Sequence, residues 1–362
     1  MTIDINQQLN TIICDDTIKT LKDMPNECID VIFADPPYFM QTDKKTLQRA
    51  DGTGAFRGCD DNWDKYSDYK EYDDFSKQWL SECRRILKPT GTIWVIGSFQ
   101  NIYRIGYIMQ NLGFWILNDV VWSKTNPTPN MNGTRFCNSH ETLLWCSKSE
   151  KSKFTFNYKT MKFLNENKQE KSVWTLGICQ GNERLKDATG QKLHTTQKPE
   201  ALLEKIILAS TKPNDIILDP FFGTGTTGAV AKKYGRNFIG IEREKKYIDG
   251  ATTRIEKQNV CISDVSELKL ETKPPKVSLT ELVESGLLYI DEPFFDKTQK
   301  EICILSKNNK VLYHGSLYSI HNLSAKLLNK ENHNGWDYFY IKRGNDFISI
   351  NELRYIFNQK GD

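Results

Sequence analysis

Apolar positions along the chain recur in two rhythms, short solid runs and three-to-four spacing, which predict strands alternating with helices. Residues 11–14 form a short apolar run that stops at Asp15 and Asp16, and residues 17–24 continue as a helix. Residues 30–34 are Asp-Val-Ile-Phe-Ala, the pattern of a strand covered on both faces. From 68 to 87, Tyr72, Phe75, Trp79, Leu80, Cys83, Ile86 and Leu87 fall on one helical face that packs inward. A strand at 91–97 follows the Pro89-Thr90-Gly91 turn. A helix at 99–112 then lines up Ile102, Ile105, Ile108, Met109 and Leu112. Further strands are predicted at 114–122, 142–146, 216–219 and 238–241, and further helices at 200–210, 228–233 and 245–257. This alternation predicts an α/β fold, a Rossmann-like sheet with helices on both faces.

The irregular stretches set the domain plan. Residues 39–63 carry Gly, Asp, Lys and Gln without period, and an irregular segment of that length in a compact domain is usually functional or disordered. Residues 269–276 break into a charged, proline-bearing linker. The plan is therefore a main domain at 1–268, the linker, and a small α+β domain at 277–362 in which short strands alternate with polar turns.

Composition narrows the class. With 362 residues, 38% of them hydrophobic and 11% aromatic, the chain can bury a sizeable core. Its nine cysteines are scattered with no Cys-x-x-Cys pair, which argues against a disulfide framework or a zinc site and for a reducing cytoplasm. The N-terminal stretch has early acids and no long apolar run, so neither a signal peptide nor a membrane span is expected. A net charge of +3 does not by itself predict nucleic acid. Its distribution says more: residues 121–192 hold 12 Lys/Arg against 6 Asp/Glu, whereas residues 43–82 hold 10 acids against 7 bases. A basic insert in a nearly neutral chain fits a phosphate-contacting face, or more plainly a solvated loop-rich excursion.

Two stretches carry chemistry. The 30–34 strand runs into Asp35-Pro36-Pro37-Tyr38. Prolines fix φ and lack an N–H, so the turn is stiff and its carbonyls are free to accept. A carboxylate beside a free carbonyl suits a planar exocyclic amine, which has two hydrogens to donate. Tyr38, with Phe39 or another aromatic on the far side, could lie against the flat face of the same group. The plainer reading is a strand, a turn and a surface tyrosine. Downstream, Asp219-Pro220-Phe221-Phe222-Gly223-Thr224-Gly225-Thr226-Thr227-Gly228 reads as strand end, glycine turn and helix start, and the next strand closes on Glu242. An acid there can grip a ribose diol. The third glycine of the pyrophosphate fingerprint is missing, so the ligand implied is adenosyl without diphosphate: S-adenosylmethionine rather than NAD.

With both stretches in view, the chain resembles the amino-group DNA methyltransferases in the permuted motif order of their β class. Trp94–Ile102, Lys124-Thr125-Asn126-Pro127, Gly133-Thr134-Arg135-Phe136 and Thr196-Gln197-Lys198-Pro199 resemble the CcrM/HinfI group of adenine-N6 enzymes acting on GANTC. The likeness runs nearly end to end, tail included. It implies a catalytic Asp35, Pro36, Pro37 and Tyr38. It implies cofactor contacts from Asp16, Asp35, Thr196, Lys198, Asp219, Phe221, Gly223, Gly225, Thr226, Thr227 and Glu242, with Asp16 near the adenine and Lys198 at the cofactor carboxylate. An N-cap is an equal use for Asp16. Double-stranded DNA is the implied substrate. A homodimer, and a cognate restriction endonuclease for the same site, are the further partners that such enzymes allow.

The segment 123–140 is dense in amides and hydroxyls and holds Lys124, Asn126, Asn132, Arg135 and His140. These are groups that read base edges and phosphates, although an Asx-rich turn cluster has the same composition. With 151–192, which carries Phe154, Phe156, Tyr158 and Trp174, it forms the expected target-recognition region at 123–192. In the tail, Trp336 with Tyr338, and Lys342 with Arg343, could stack on bases and contact phosphates, with a dimerisation surface as the competing role. No metal is expected, because methyl transfer from a sulfonium needs none. A dehydrogenase, a non-catalytic DNA-binding module, and a methyltransferase for RNA or protein amides are the rival readings; cytosine-N4 enzymes usually carry Ser at the Asp35 position.

Overall fold

A computed structural model describes residues 2–39, 47–48, 55–56, 64–130, 134–260, 276–344 and 346–359. The chain forms two compact units, 1–270 and 271–362.

In the first unit, the strands are β1 (Thr11–Ile13), β2 (Ile29–Ala34), β3 (Leu47–Gln48), β4 (Ala55–Phe56), β5 (Leu87–Gly97), β6 (Trp115–Lys124), β7 (His140–Ser147), β8 (Val173–Leu176), β9 (Ile216–Asp219) and β10 (Asn237–Ile241). The helices are α1 (Thr17–Asp23), α2 (Tyr69–Ile86), α3 (Ile102–Asn111), α4 (Tyr158–Leu164), α5 (Glu200–Ser210), α6 (Thr226–Lys233) and α7 (Lys245–Lys257). Eight strands make one sheet in the order β1-β10-β9-β2-β5-β7-β6-β8, while β3 and β4 pair separately. Neighbours from β1 to β5 are parallel; β7 alone runs against both of its partners, β5 and β6.

The apolar runs are explained by burial on both faces. In β2, Ile32 and Ala34 face a core built with Tyr72, Trp79 and Leu80 of α2 and Ile105 of α3. Val31 and Phe33 face a second core with Leu202 and Ile206 of α5 and Ala229 and Val230 of α6. From β2 the chain crosses through α2 to β5 on one side; from β9 it crosses through α6 to β10 on the other. The gap beyond the C-terminal ends of β2 and β9 is therefore the topological switch point, where open α/β sheets hold ligands. Asp35 and Asp219 stand on its two sides.

The 151–192 excursion is less loop-like than its composition suggested. Residues 173–176 add β8 to the sheet parallel to β6, and Trp174 is buried in the core. Trp145 stacks on Trp94 at 5.0 Å, both buried, while Phe154 meets Trp145 edge-on at 5.4 Å and stays exposed on its other side. Most of 39–63 lies outside the described residues, as does nearly all of the 269–276 linker.

The second unit has a six-stranded antiparallel sheet, in the order β14-β13-β12-β11-β15-β16, built from β11 (Pro293–Phe295), β12 (Glu301–Ser306), β13 (Lys310–Tyr313), β14 (Ser316–Tyr318), β15 (Tyr340–Arg343) and β16 (Asp346–Ser349). It also carries helices that the strand-and-turn pattern did not place: α8 (Leu279–Glu284), α9 (Ile320–Leu327) and α10 (Ile350–Gln359). Ser278 and Glu281 form a reciprocal capping box at α8. Among the described residues no helix is long and apolar enough to cross a membrane, and no His, Cys, Asp and Glu group is arranged to hold a metal ion.

Candidate active site

A cavity of about 1140 Å³, solvent mouth included, opens at the switch point of the first unit. Its lining includes Asp16, Asp35, Pro36, Pro37, Tyr38, Thr196, Lys198, Asp219, Phe221, Gly223, Thr226, Thr227 and Glu242. The fold thus brings together residues from both motifs, far apart in sequence. Of the expected cofactor contacts only Gly225 is off the lining. It is the α6 N-cap at φ +73, and a Cβ there would lie 2.7 Å from that of Ala251, so it shapes the turn through its backbone.

Asp16, Asp219 and Glu242 each accept hydrogen bonds from the chain. Asp219 Oδ2 accepts from the Thr227 hydroxyl at 2.6 Å and Oδ1 from the Phe221 N–H at 3.0 Å. Burial is nevertheless the larger effect and pushes its carboxyl up to about 7. Glu242 accepts from the Gly223 N–H at 2.8 Å and the Glu244 N–H at 2.9 Å, which fixes the glycine turn. Asp16 both lines the cavity and caps α1, accepting from the Lys19 N–H at 3.0 Å. His194 also lines it, packed edge-on to Tyr247 at 4.7 Å, with its Nδ1 accepting from the Thr196 N–H at 3.2 Å.

At the Asp35 end, the Lys198 ammonium donates to Asp35 Oδ2 at 2.7 Å and lies 5.2 Å from the Tyr38 ring centre. Lys198 was expected at a cofactor carboxylate; here its charge is committed to Asp35. Burial pushes the Asp35 carboxyl above its ordinary range and Lys198 only partly offsets this. The Tyr38 hydroxyl donates to Glu141 Oε2 at 3.1 Å. The Pro37 carbonyl is not free: the Tyr72 hydroxyl donates to it at 2.9 Å. The Pro36 carbonyl has no such donor among the described residues. Phe39 is likewise no partner for Tyr38. It is buried at φ +52 among Tyr66, Tyr69 and Tyr72, stacked on Tyr72 at 5.9 Å.

The expected DNA contacts divide. Arg135 and His140 are exposed, and Phe136 beside Arg135 is 96% exposed. Asn132 lies outside the described residues. Lys124 turns inward, donating to Glu141 Oε1 at 2.6 Å with its side chain only 15% exposed, so a phosphate contact would have to break that pair. The Asn126 amide donates to Gln180 at 2.8 Å and accepts from the Ile178 N–H at 3.0 Å, so its bonds serve the loop itself. Trp336 is a core residue of the second unit, covered by Arg354 at 4.6 Å from its ring centre; stacking on a base is ruled out by burial. Arg343 is ion-paired with Glu292 and donates to the Leu287 carbonyl at 2.8 Å, while Lys342 is exposed.

Sequence reasoning missed Glu141, Tyr66, Phe75, Arg243 and Tyr247. The last four line the cavity, and only folding brings them there.

A family model described as DNA methylase matches residues 29–253. The type II methyltransferase M.HinfI of Haemophilus influenzae is 61% identical over 356 residues, 98% of this chain and 99% of that one. The type II methyltransferase M2.LlaDCHI of Lactococcus lactis subsp. cremoris is 46% identical over 243 residues, 67% of this chain and 87% of that one. Among solved structures, the PvuII DNA methyltransferase (cytosine-N4-specific) superposes with a TM-score of 0.54 at 21% identity, covering 69% of this chain and 87% of that one; this likeness concerns the fold. The chain belongs to the DNA methylase family. It is a site-specific DNA methyltransferase that uses S-adenosylmethionine.

Proposed function

We propose that the enzyme methylates the N6 amino group of adenine in double-stranded DNA, within GANTC sites. The observation that carries this reading is the position of Asp35 and Pro36 beside Asp219 and the glycine turn in one cavity. Asp35 in place of the serine usual in related cytosine-N4 enzymes favours adenine. The likeness to M.HinfI supports the GANTC site and, because that relative is named a type II methyltransferase, a cognate endonuclease as partner. The same likeness supports action in the cytoplasm of a bacterium.

The cavity suits the cofactor chemically. Glu242 and Asp16 offer carboxylate acceptors, Phe221 and Tyr247 offer apolar faces, and Gly223 at φ +51 carries no side chain into the space. When bound, S-adenosylmethionine supplies a sulfonium methyl as electrophile. Everything else falls to the chain. Adenine N6 is conjugated into its ring and is a poor nucleophile. The Asp35 carboxylate and the Pro36 carbonyl accept its two hydrogens, shifting the nitrogen toward sp³ and raising its lone pair. Positioning and preorganised charge supply the acceleration. The amine is hidden inside duplex DNA, so the base leaves the stack at a cost of a few kcal/mol. Tyr38 then covers its face. Arg135 and His140 at the exposed 134–140 segment contact the DNA outside.

The test of the base is direct. Methylated duplex is digested to nucleosides and the product is weighed by mass spectrometry. N6-methyladenine is expected; N4-methylcytosine would overturn the assignment.

A further inference from the structure

Glu141 is a buried carboxylate at the active edge that no step above uses. It is the second residue of β7, and because β7 runs against β5, the start of this strand lies level with the C-terminal end of β5. Its side chain is 13% exposed. Oε1 accepts from Lys124 at 2.6 Å. Oε2 accepts from the Tyr38 hydroxyl at 3.1 Å and lies 4.0 Å from the Lys198 ammonium, which itself stands 2.7 Å from Asp35. Lys124, Glu141, Tyr38, Lys198 and Asp35 thus form one continuous row. Lys124 is the last residue of β6, so the row joins the base of the 125–139 segment to the catalytic turn.

Burying a carboxylate costs several kcal/mol, which a counter-ion offsets only when further hydrogen bonds satisfy the remaining lone pairs. The arrangement goes further. The single oxygen that meets Tyr38 also faces Lys198, and both of these partners border Asp35. The ammonium stays hydrogen-bonded to Asp35 at 2.7 Å while the Glu141 charge, 4.0 Å away, opposes its field at that carboxylate. Glu141 also fixes the phenol that lies beside the incoming base.

We propose that Glu141 is a positioning residue for methyl transfer: it orients Tyr38 and shares Lys198, so that Asp35 keeps acceptor capacity directed at the amine. The inference rests on the reading of Asp35 as the acceptor of the amine.

The charged and titratable groups facing Asp35 are Lys198 ahead of α5, Tyr38 on its own turn, Glu141 on β7 and Asp219 on β9. Glu141 raises the Asp35 carboxyl and Lys198 lowers it. Glu141→Gln keeps shape and an oxygen acceptor but removes the charge, leaving Lys198 to act on Asp35 unopposed. Single-turnover transfer at saturating DNA and cofactor is expected to fall about 10-fold or more, with both dissociation constants within about 3-fold of wild type. The acid limb of the pH–rate profile is expected to move to lower pH, a shift that a purely structural role would not produce. Rate and limb both at wild-type values would overturn the proposal. If Glu141→Gln fails to fold, Glu141→Gln combined with Lys124→Met removes the buried pair together, and the same two readouts apply. Asp35→Asn is measured alongside. If it retains transfer within a few-fold, the reading of Asp35 fails and this inference with it. If it is inactive while Glu141→Gln matches wild type, only Glu141 loses its role.

Discussion

Lys198 and Asp35, 163 residues apart in the chain, meet at 2.7 Å in the floor of the cavity. The pair joins the two halves of the site, since Asp35 follows β2 while Lys198 precedes α5. It also sets the charge state of Asp35, on which transfer depends in the proposed mechanism. Burial raises the Asp35 carboxyl, and the Lys198 cation holds it down. On the proposed mechanism, transfer needs the ionised carboxylate. Replacing Lys198 with Met removes the cation, raises the carboxyl further, and moves the acid limb of the pH–rate profile to higher pH. This is opposite in sign to the shift expected for Glu141→Gln. A limb that stays in place would separate Lys198 from Asp35 in function.

Asp35→Asn keeps the volume of the side chain but exchanges one acceptor for a donor. If Asp35 accepts a hydrogen from the amine in the transition state, single-turnover transfer falls by about 10²–10³-fold, the usual cost of one preorganised partner. Cofactor binding by calorimetry should persist. A loss of only a few-fold would remove Asp35 from the chemistry.

Two aromatics that invited a stacking role are core residues instead. Phe39→Ala and Trp336→Ala each empty a packed site and should cost about 3–5 kcal/mol of unfolding free energy in denaturant titrations. A phenylalanine or tryptophan used only to stack on a base would cost little stability. Exposed Arg135→Ala should leave unfolding unchanged and weaken DNA binding, read as a flatter dependence of the dissociation constant on salt.

Asp219 makes stability depend on pH in an unusual direction. Its carboxyl stands at about 7 in the folded chain against an ordinary 3.8. Between those values the native state keeps a proton that the unfolded chain has released. The contribution is therefore fully present below 3.8 and is lost as the pH rises through about 7. Asp219→Asn removes the titration. In thermal melts of the cofactor-free protein, the variant's Tm should gain on wild type as the pH climbs through that window. Parallel pH profiles would place the Asp219 carboxyl near its ordinary value.

Much of this architecture is legible in the sequence because both-face burial writes itself as solid apolar runs. The predicted 200–210 and 245–257 helices coincide with α5 and α7, and the predicted 30–34 strand lies within β2. The legible part of the site is the part carried by contiguous residues, Asp35 to Tyr38 and Asp219 to Thr227. Glu141 escaped because its role depends on β7 running antiparallel, which brings the start of a strand to the edge where its neighbours end. Composition misled wherever polar residues bond to one another. Lys124, Asn126 and Arg343 look like DNA contacts by type, yet each is engaged by a partner that only the fold supplies. Trp174 misled for the converse reason, because β8 extends the sheet and buries it.

The central claim is tested most directly by following labelled methyl from S-adenosylmethionine onto three duplexes. One carries GANTC, one the same bases scrambled, and one GANTC with its adenines already N6-methylated. Label on the first alone is the predicted result, and it would establish chemistry, base and site together. Label on the scrambled duplex to the same extent would contradict the site, and label on the premethylated duplex would contradict the base.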